Sequence, residues 1–497
     1  MAKRVVLLIL IVLLCNAIYA NDAEVLPEGV FKIGQQIGYD WSTDNFKTVF
    51  GTGTYPTTYW YNIKVKLADI SPDLAQRWNF TKCRDEKGNP SECILGRTHF
   101  DLWQAALKFN TSIMYGISDL VSAGVIIPYH YGMSSAKLKI TESNMRINYE
   151  STGKVNKAMP IVPYEFENAP QGAHPINADD VAVILSDPAF GFEYEDPLSP
   201  HNGWYLGDII FGLRYLFHQN NWMKNAYTFF LITPTGMEDP PDWLFSPAAG
   251  DGQFDIGFWF NNDFLLYKKM NFWLNFSTGY TAQLPQTKKF RVPSVSRHVP
   301  NTPEEYDPNN KGENFMPIGN RSHSLLELRR DIGDNVDFYL GFRFNITETL
   351  MFNQEFYYYY KWRDQFEVTY QPMACELVSK IEHDVYGIPY CNEKGADYSL
   401  VNVQTHALSQ FTDREEVVST SMLTFSTLPL LEKGKFPIPL MLSVGFKRSI
   451  AGKNIEQTNS IFLNLDMFGS VYMFSDEKRG ALNAAQTAFS TLSSVPR

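Results

Sequence analysis

Over most of the chain, apolar and polar residues alternate one for one. In GQFDIGFWFNNDFLLY (252–267), Phe254, Ile256, Phe258, Phe260, Phe264 and Leu266 share one side. Gln253, Asp255, Gly257, Trp259, Asn261 and Asp263 take the other. A period of two is the mark of a strand with unlike faces. Only Asn262, in the apolar row, and Leu265, in the polar row, break the pattern. The same rhythm recurs at 30–41, 102–115, 120–131, 203–217, 226–233, 271–281, 335–346 and 350–363. Weaker versions occupy 417–426, 438–448 and 459–468. The pattern therefore predicts about 12 strands. Two further stretches, 58–70 and 137–151, also read as strands and would raise the count to 14 or 16 if they spanned.

The links between strands sort by parity. Those after strands 2, 4, 6, 8 and 10 are short, whereas those after strands 1, 3, 7 and 9 run to dozens of residues. The link after strand 5 is intermediate, and the one after strand 11 is a short exception. A membrane barrel is built this way, with tight periplasmic turns and long extracellular loops. A soluble sandwich has no reason to sort its links so. The expected fold is an all-β, transmembrane, antiparallel up-and-down barrel of 12–16 strands, its apolar rows facing lipid and its polar rows facing a lumen.

Composition agrees. Aromatic residues make up 15% of the chain, with 36 Phe and 27 Tyr, and the net charge is −11. Mean hydropathy is −0.24, too low for a helical membrane protein. An acidic chain without a basic stripe argues against a nucleic-acid partner. At the N-terminus, MAKR is followed by an apolar run from Val5 to Cys15 and by NAIYA. That run is short for a spanning helix. It reads as a secretory signal peptide over residues 1–20. Residues 21–474 are expected to form the barrel, and 475–497 a polar tail. No plug domain is visible before Phe31. Near the C-terminus the apolar row Ile461, Leu463, Leu465 and Met467 gives way to Gly469, Tyr472 and Phe474, which suggests a face-switching bulge at Gly469.

Four cysteines follow the signal peptide: Cys83, Cys93, Cys375 and Cys391. In an oxidising compartment they can pair in three ways. The local pairing, Cys83 with Cys93 and Cys375 with Cys391, closes two short loops, both on the predicted outer side.

Short stretches carry a family likeness. YGISDLVSAGVIIPY (115–129), GDIIFGLRY (207–215), PTG (234–236) and GQFDIG (252–257) resemble the outer-membrane β-barrels associated with the meta-pathway of phenol degradation. That resemblance implies an outer-membrane channel for hydrophobic or aromatic compounds. The long outer loops, the two cysteine pairs and the tail depart from the family pattern. Fatty-acid transport barrels fit less well, for want of a plug.

If the apolar rows meet lipid, the lumen is lined by Lys32, Lys108, Asp208, Arg214, Asp255, Trp259, Asp263, Asp337, Arg343, Glu355 and Lys361. Their signs are mixed, so neither an anion nor a cation filter stands out. Their ordinary role is to stiffen the wall through salt bridges. Trp259, Trp273, Tyr357 and Tyr359 also face inward, where an aromatic solute could stack. Twelve strands lie between the filled eight-stranded barrel and the open porin, so a narrow or gated pore is expected. The acidic stretch 186–200 matches no EF-hand spacing. No metal or other cofactor is indicated, and no GxSxG, HExxH or P-loop motif occurs.

The expected function is passive uptake of a small hydrophobic or aromatic solute across the outer membrane of a Gram-negative cell. The expected partners are outer-membrane lipid and that solute. Two alternatives stand beside it. One is a sheath around periplasmic or cytochrome partners of an electron conduit. The other is an outer-membrane enzyme.

Overall fold

The structure, a computed structural model, describes residues 23–46, 54–56, 64–67, 83–85, 87–164, 174–187, 194–195, 198–199, 201–238, 240–243, 249–292, 324–367, 409 and 412–470. The expected signal peptide, Cys375, Cys391 and the tail lie outside these residues.

Twelve strands close into one antiparallel barrel. They are β1 (Val30–Phe46), β2 (Ile94–Ser118), β3 (Val121–Thr141), β4 (Ile209–Gln219), β5 (Met223–Thr233) and β6 (Asp255–Tyr267). The second half is β7 (Phe272–Gln283), β8 (Asn335–Asn345), β9 (Leu350–Lys361), β10 (Arg414–Ser426), β11 (Leu440–Lys453) and β12 (Glu456–Ser470). Each strand pairs with its sequence neighbour, and β12 returns to β1 from Val30↔Ser470 to Asn45↔Glu456. Closure leaves no edge, so wall backbone groups find partners without water. Among the described residues no helix is long and apolar enough to cross a membrane. The crossing is made by strands.

The alternation resolves into an outer and an inner skin. Phe254, Ile256 and Phe258 are 47%, 53% and 44% exposed on the outside, while Asp255 and Gly257 between them are buried. Large apolar residues exposed in this way around the wall form the lipid belt of an outer-membrane barrel. The two exceptions in β6 have local causes. Asn262 faces out, but its side chain accepts from Asn225 Nδ2 on β5 and donates to the carbonyl of Phe276 (3.2 Å) on β7. Both amides are buried, their hydrogen bonds made within the wall. Leu265 sits at the β-bulge between Leu265 and Tyr267, where the inside–outside rhythm slips.

One expectation at the end of the chain fails. β12 keeps its register with β1 through Gly469, and there is no bulge there. Gly469 faces outward opposite Phe31. A Cβ on it would stand 2.2 Å from Phe31 Cζ, so the glycine makes room for that ring.

The links fall as their lengths suggest. The periplasmic ones are Asp119–Leu120, 220–222, 268–271, 346–349 and 427–439. The strand count settles at twelve because neither extra stretch spans. Lys64–Lys66 pairs with the top of β2, and 137–141 is the upper end of β3. These ends carry the wall well beyond the bilayer, since a membrane crossing needs only about 9–11 residues.

The first two outer links fold together into a cap with its own apolar core. Val65, Leu67, Cys83, Cys93 and Leu95 meet Met145, Ile147, Val162, Ile176, Ile184 and Tyr194 there. The Cys83–Cys93 disulfide closes one edge. Helix α1 (Ala178–Ser186) starts at Asn177, whose side chain accepts from the N–H groups of Asp179 and Asp180. The Asp180 carboxylate accepts from Asn177 N (2.9 Å) in return, completing a capping box. Farther round the rim, Gln286–Val292, Ser324–Asp331 and Gln365–Glu367 form a three-stranded sheet outside the barrel.

Candidate functional site, the lumen and its strap

The barrel encloses a cavity of about 1710 Å³. Of the predicted lining residues, Lys32, Lys108, Arg214, Trp259, Arg343 and Glu355 border it. Lys32 stands 3.9 Å from Asp466, and Lys108 2.6 Å from Asp40. The other five lie in the wall or under links, all but Asp208 buried. Asp208 accepts from the N–H groups of Gly236 (2.8 Å) and Asp251 (3.3 Å), which clasps the 234–254 link to the wall. Asp255 is buried at the start of β6. Asp337 accepts from the Tyr357 hydroxyl and from Asn335 Nδ2 (3.0 Å). Lys361 pairs with Asp364, which also holds Arg330 at 2.7 Å. Asp263 is covered by a segment that sequence reading left without a role.

That segment is Ala23–Gly29. A plug was not expected, yet these residues run back from β1 and lie across the periplasmic end of the lumen as a strap. Close approach to the wall starts it. Gly29 N–H donates to Gly116 O (2.9 Å), and a Cβ on Gly116 would stand 2.0 Å from Pro27 O. Leu26 N–H then donates to Ser122 Oγ (2.7 Å) on β3, and Glu24 O accepts from Arg214 (3.1 Å) on β4. Finally Ala23 N–H donates to Asp263 Oδ2 (3.0 Å) on β6.

The Glu24 carboxylate is the strap's main anchor. Its Oε1 takes both Lys224 Nζ (2.9 Å) and Arg343 (3.0 Å), from β5 and β8. Burial opposes its ionisation, but the two cations outweigh that and hold its pKa at about 2. The same cations lie over the Trp273 ring, at 5.4 and 5.6 Å from its centroid. Trp273 is only 3% exposed. A chain of side-chain bonds fixes the wall above. Arg214 donates to Thr228, Thr228 to Asn261 and Asn261 to Ser277 across four adjacent strands (2.9, 2.9 and 3.1 Å).

The opposite side of the mouth is narrowed by the longest periplasmic link. Its helix α2 (Leu428–Glu432) brings Leu428 into one apolar cluster with Leu26, Val30 and Met114. Strap and helix thus meet across the periplasmic end. Above them, aromatic side chains face inward from β6, β8 and β9. Tyr339 and Tyr357 are cross-strand partners. Trp259 stacks on Tyr357 with centroids 6.5 Å apart and planes 14° apart, and Tyr357 stacks on Tyr359 at 6.4 Å.

Three site residues escaped the sequence reading: Tyr339, which lies on the inner face of β8 between Asp337 and Gly341, Lys224 and Glu24. Lys224 precedes the run read as 226–233; extending the alternation by two residues places it on the inner face. Glu24 left no local signal. Its partner Arg343 is 319 residues away.

Elsewhere, His174 Nε2 lies 2.9 Å from Asp180 Oδ2. That carboxylate is engaged in capping α1, so the pair serves the helix rather than a nucleophile. Among the described residues no group of three or more His, Cys, Asp or Glu could hold a metal ion.

No family model matches the sequence, and no curated relative does. Among solved structures, the chain is similar to an outer membrane channel from Pseudomonas putida F1, with 8% identity and a TM-score of 0.45 over 91% of this chain and 100% of that one. It is also similar to the CymD monoaromatic hydrocarbon channel, with 8% identity and a TM-score of 0.28 over 90% and 89%. A third similarity is to the NanC porin, with 8% identity and a TM-score of 0.26 over 74% and 98%. Likeness at this level fixes neither family nor solute.

Proposed function

We propose that this protein is an outer-membrane channel that admits small hydrophobic or aromatic solutes by passive diffusion, with its periplasmic mouth closed at rest by the strap. One observation carries the reading: a closed lipid-belted barrel encloses a cavity of about 1710 Å³ that ends on the strap. A structural barrel would have no use for such a cavity. The inward aromatic wall of Trp259, Tyr339 and Tyr357 supports the solute class, because flat rings stack on it in offset geometry. The sheath alternative needs a wide lumen. A cavity of this size is too small for a folded domain, which normally runs to 50 residues or more.

The test is uptake. Cells with and without the protein should differ in entry of small aromatic acids such as benzoate and should not differ for a trisaccharide. Equal entry of every solute in both strains would remove the proposal.

A further inference from the structure

Lys224 and Arg343 converge on one carboxylate oxygen in a buried corner floored by Trp273. That is the geometry of an anion site, and its occupant is the chain's own Glu24. We propose that Glu24 is a tethered stand-in for the carboxylate of the solute, and that an aromatic carboxylate opens the mouth by taking its place. The inference deepens the channel reading and rests on it.

Register supports the exchange. Arg343 pairs with Trp273, and Lys224 pairs with Asp263, at the lower end of the lumen. Asn261, Ser277 and Tyr339 form one row, a few residues higher, and Tyr357 continues it on β9. Trp259 lies one inward position above Asn261. A molecule with a carboxylate at one end and a ring at the other would therefore meet cations below and aromatic faces above.

Charge explains why a neutral solute would not serve. Removing Glu24 alone leaves two mostly buried cations without their counter-ion, which is costly. An incoming carboxylate restores the balance with the same bonds. Most of the remaining hold on the strap consists of backbone hydrogen bonds to Asp263, Ser122 and Arg214, each modest in net strength. Exchange at Glu24 therefore removes the strongest single contact.

The test uses the full chain in liposomes with Ala23→Cys, a strap position buried against Leu216 and Ala226 of the wall (0% exposed). Labelling by a membrane-impermeant maleimide is measured with sodium benzoate, with benzyl alcohol and with neither. Benzoate should raise the rate roughly tenfold, within the usual range of coupling between sites, and benzyl alcohol should leave it unchanged. Adding Lys224→Gln and Arg343→Gln should give fast labelling that benzoate no longer alters. Glu24→Gln, nearly isosteric, should behave likewise. Equal effects of benzoate and benzyl alcohol would overturn the proposal, and so would a benzoate effect that survives loss of both cations. Potassium chloride conductance of the Glu24→Gln protein separates the two claims. If it conducts while benzoate fails to speed labelling of the Ala23→Cys protein that keeps Glu24, Lys224 and Arg343, only the exchange is wrong; if no form conducts, the channel reading fails too.

Discussion

The barrel and the cap are inside out relative to one another. In the cap, Leu67, Met145 and Val162 are fully buried, and few polar residues besides Arg146 and Asp180 are. In the barrel, Asn261, Ser277 and Asp263 are buried, and Phe258 and Ile256 are on the surface. The same chain builds both because each face answers to its own solvent. Water drives apolar side chains into the cap core. Lipid makes no such demand, so the barrel is held by its closed hydrogen-bond ladder and by inward polar networks. The lesson concerns where function can reside. The cap's core is spent on folding, whereas the barrel's polar interior sets cations and rings along the cavity.

Substitutions at matched positions should behave oppositely in the two regions. The largest effect is expected from Leu67→Ala, which opens a cavity in the cap core at a cost of about 2–5 kcal/mol. Limited proteolysis should then clip the cap while the barrel keeps its heat-modifiable mobility in gels. Phe258→Arg should cost the barrel about 2–4 kcal/mol in lipid and leave the cap untouched, because charge on the lipid belt is penalised near the midplane. Urea unfolding in liposomes would read it. Replacing Cys83 and Cys93 by serine should cost about 3 kcal/mol on the chain-entropy account, again in the cap alone. Ser277→Ala is the mildest change. It removes the acceptor for Asn261 and should cost about 1 kcal/mol, seen as a small drop in barrel stability.

Acid provides a further comparison, confined to the strap. Glu24 has its pKa lowered from 4.5 to about 2 in the folded protein. Its contribution is therefore fully present above about 4.5 and is lost as pH falls through about 2. Conductance should rise in that acidic window and stay flat between pH 6 and 8. A rise confined to pH 6–8 would point to a different group.

Much of the fold is legible in the sequence, for a physical reason. Alternation over β6 and the strands like it follows from a wall one residue thick with lipid on one side. The parity of link lengths follows from the two sides of the membrane. Even the local Cys83–Cys93 pair can be read from its spacing, although two other pairings remain open until the structure is seen. What could not be read depends on distant partners. The approach to β1, AEVLPEG, has no period, and Glu24 acquires meaning only beside Lys224 and Arg343. The cap core is similarly hidden. Lys64–Lys66 and Met145–Ile147 fall within stretches that read as strands, but nothing local says that Leu67 will meet Val162 and Ile184. Asp208 and Lys361 alternate inward like their neighbours, yet the 234–254 link and Asp364 take them up, which alternation cannot foresee.

The most direct test of the account is single-channel conductance in planar bilayers of the full chain and of a chain lacking Ala23–Glu28. If the strap closes the periplasmic mouth, its removal should give larger and longer-lived openings at the same voltage. Identical conductance and open times in the two proteins would contradict the account, because the strap would then not be what limits passage.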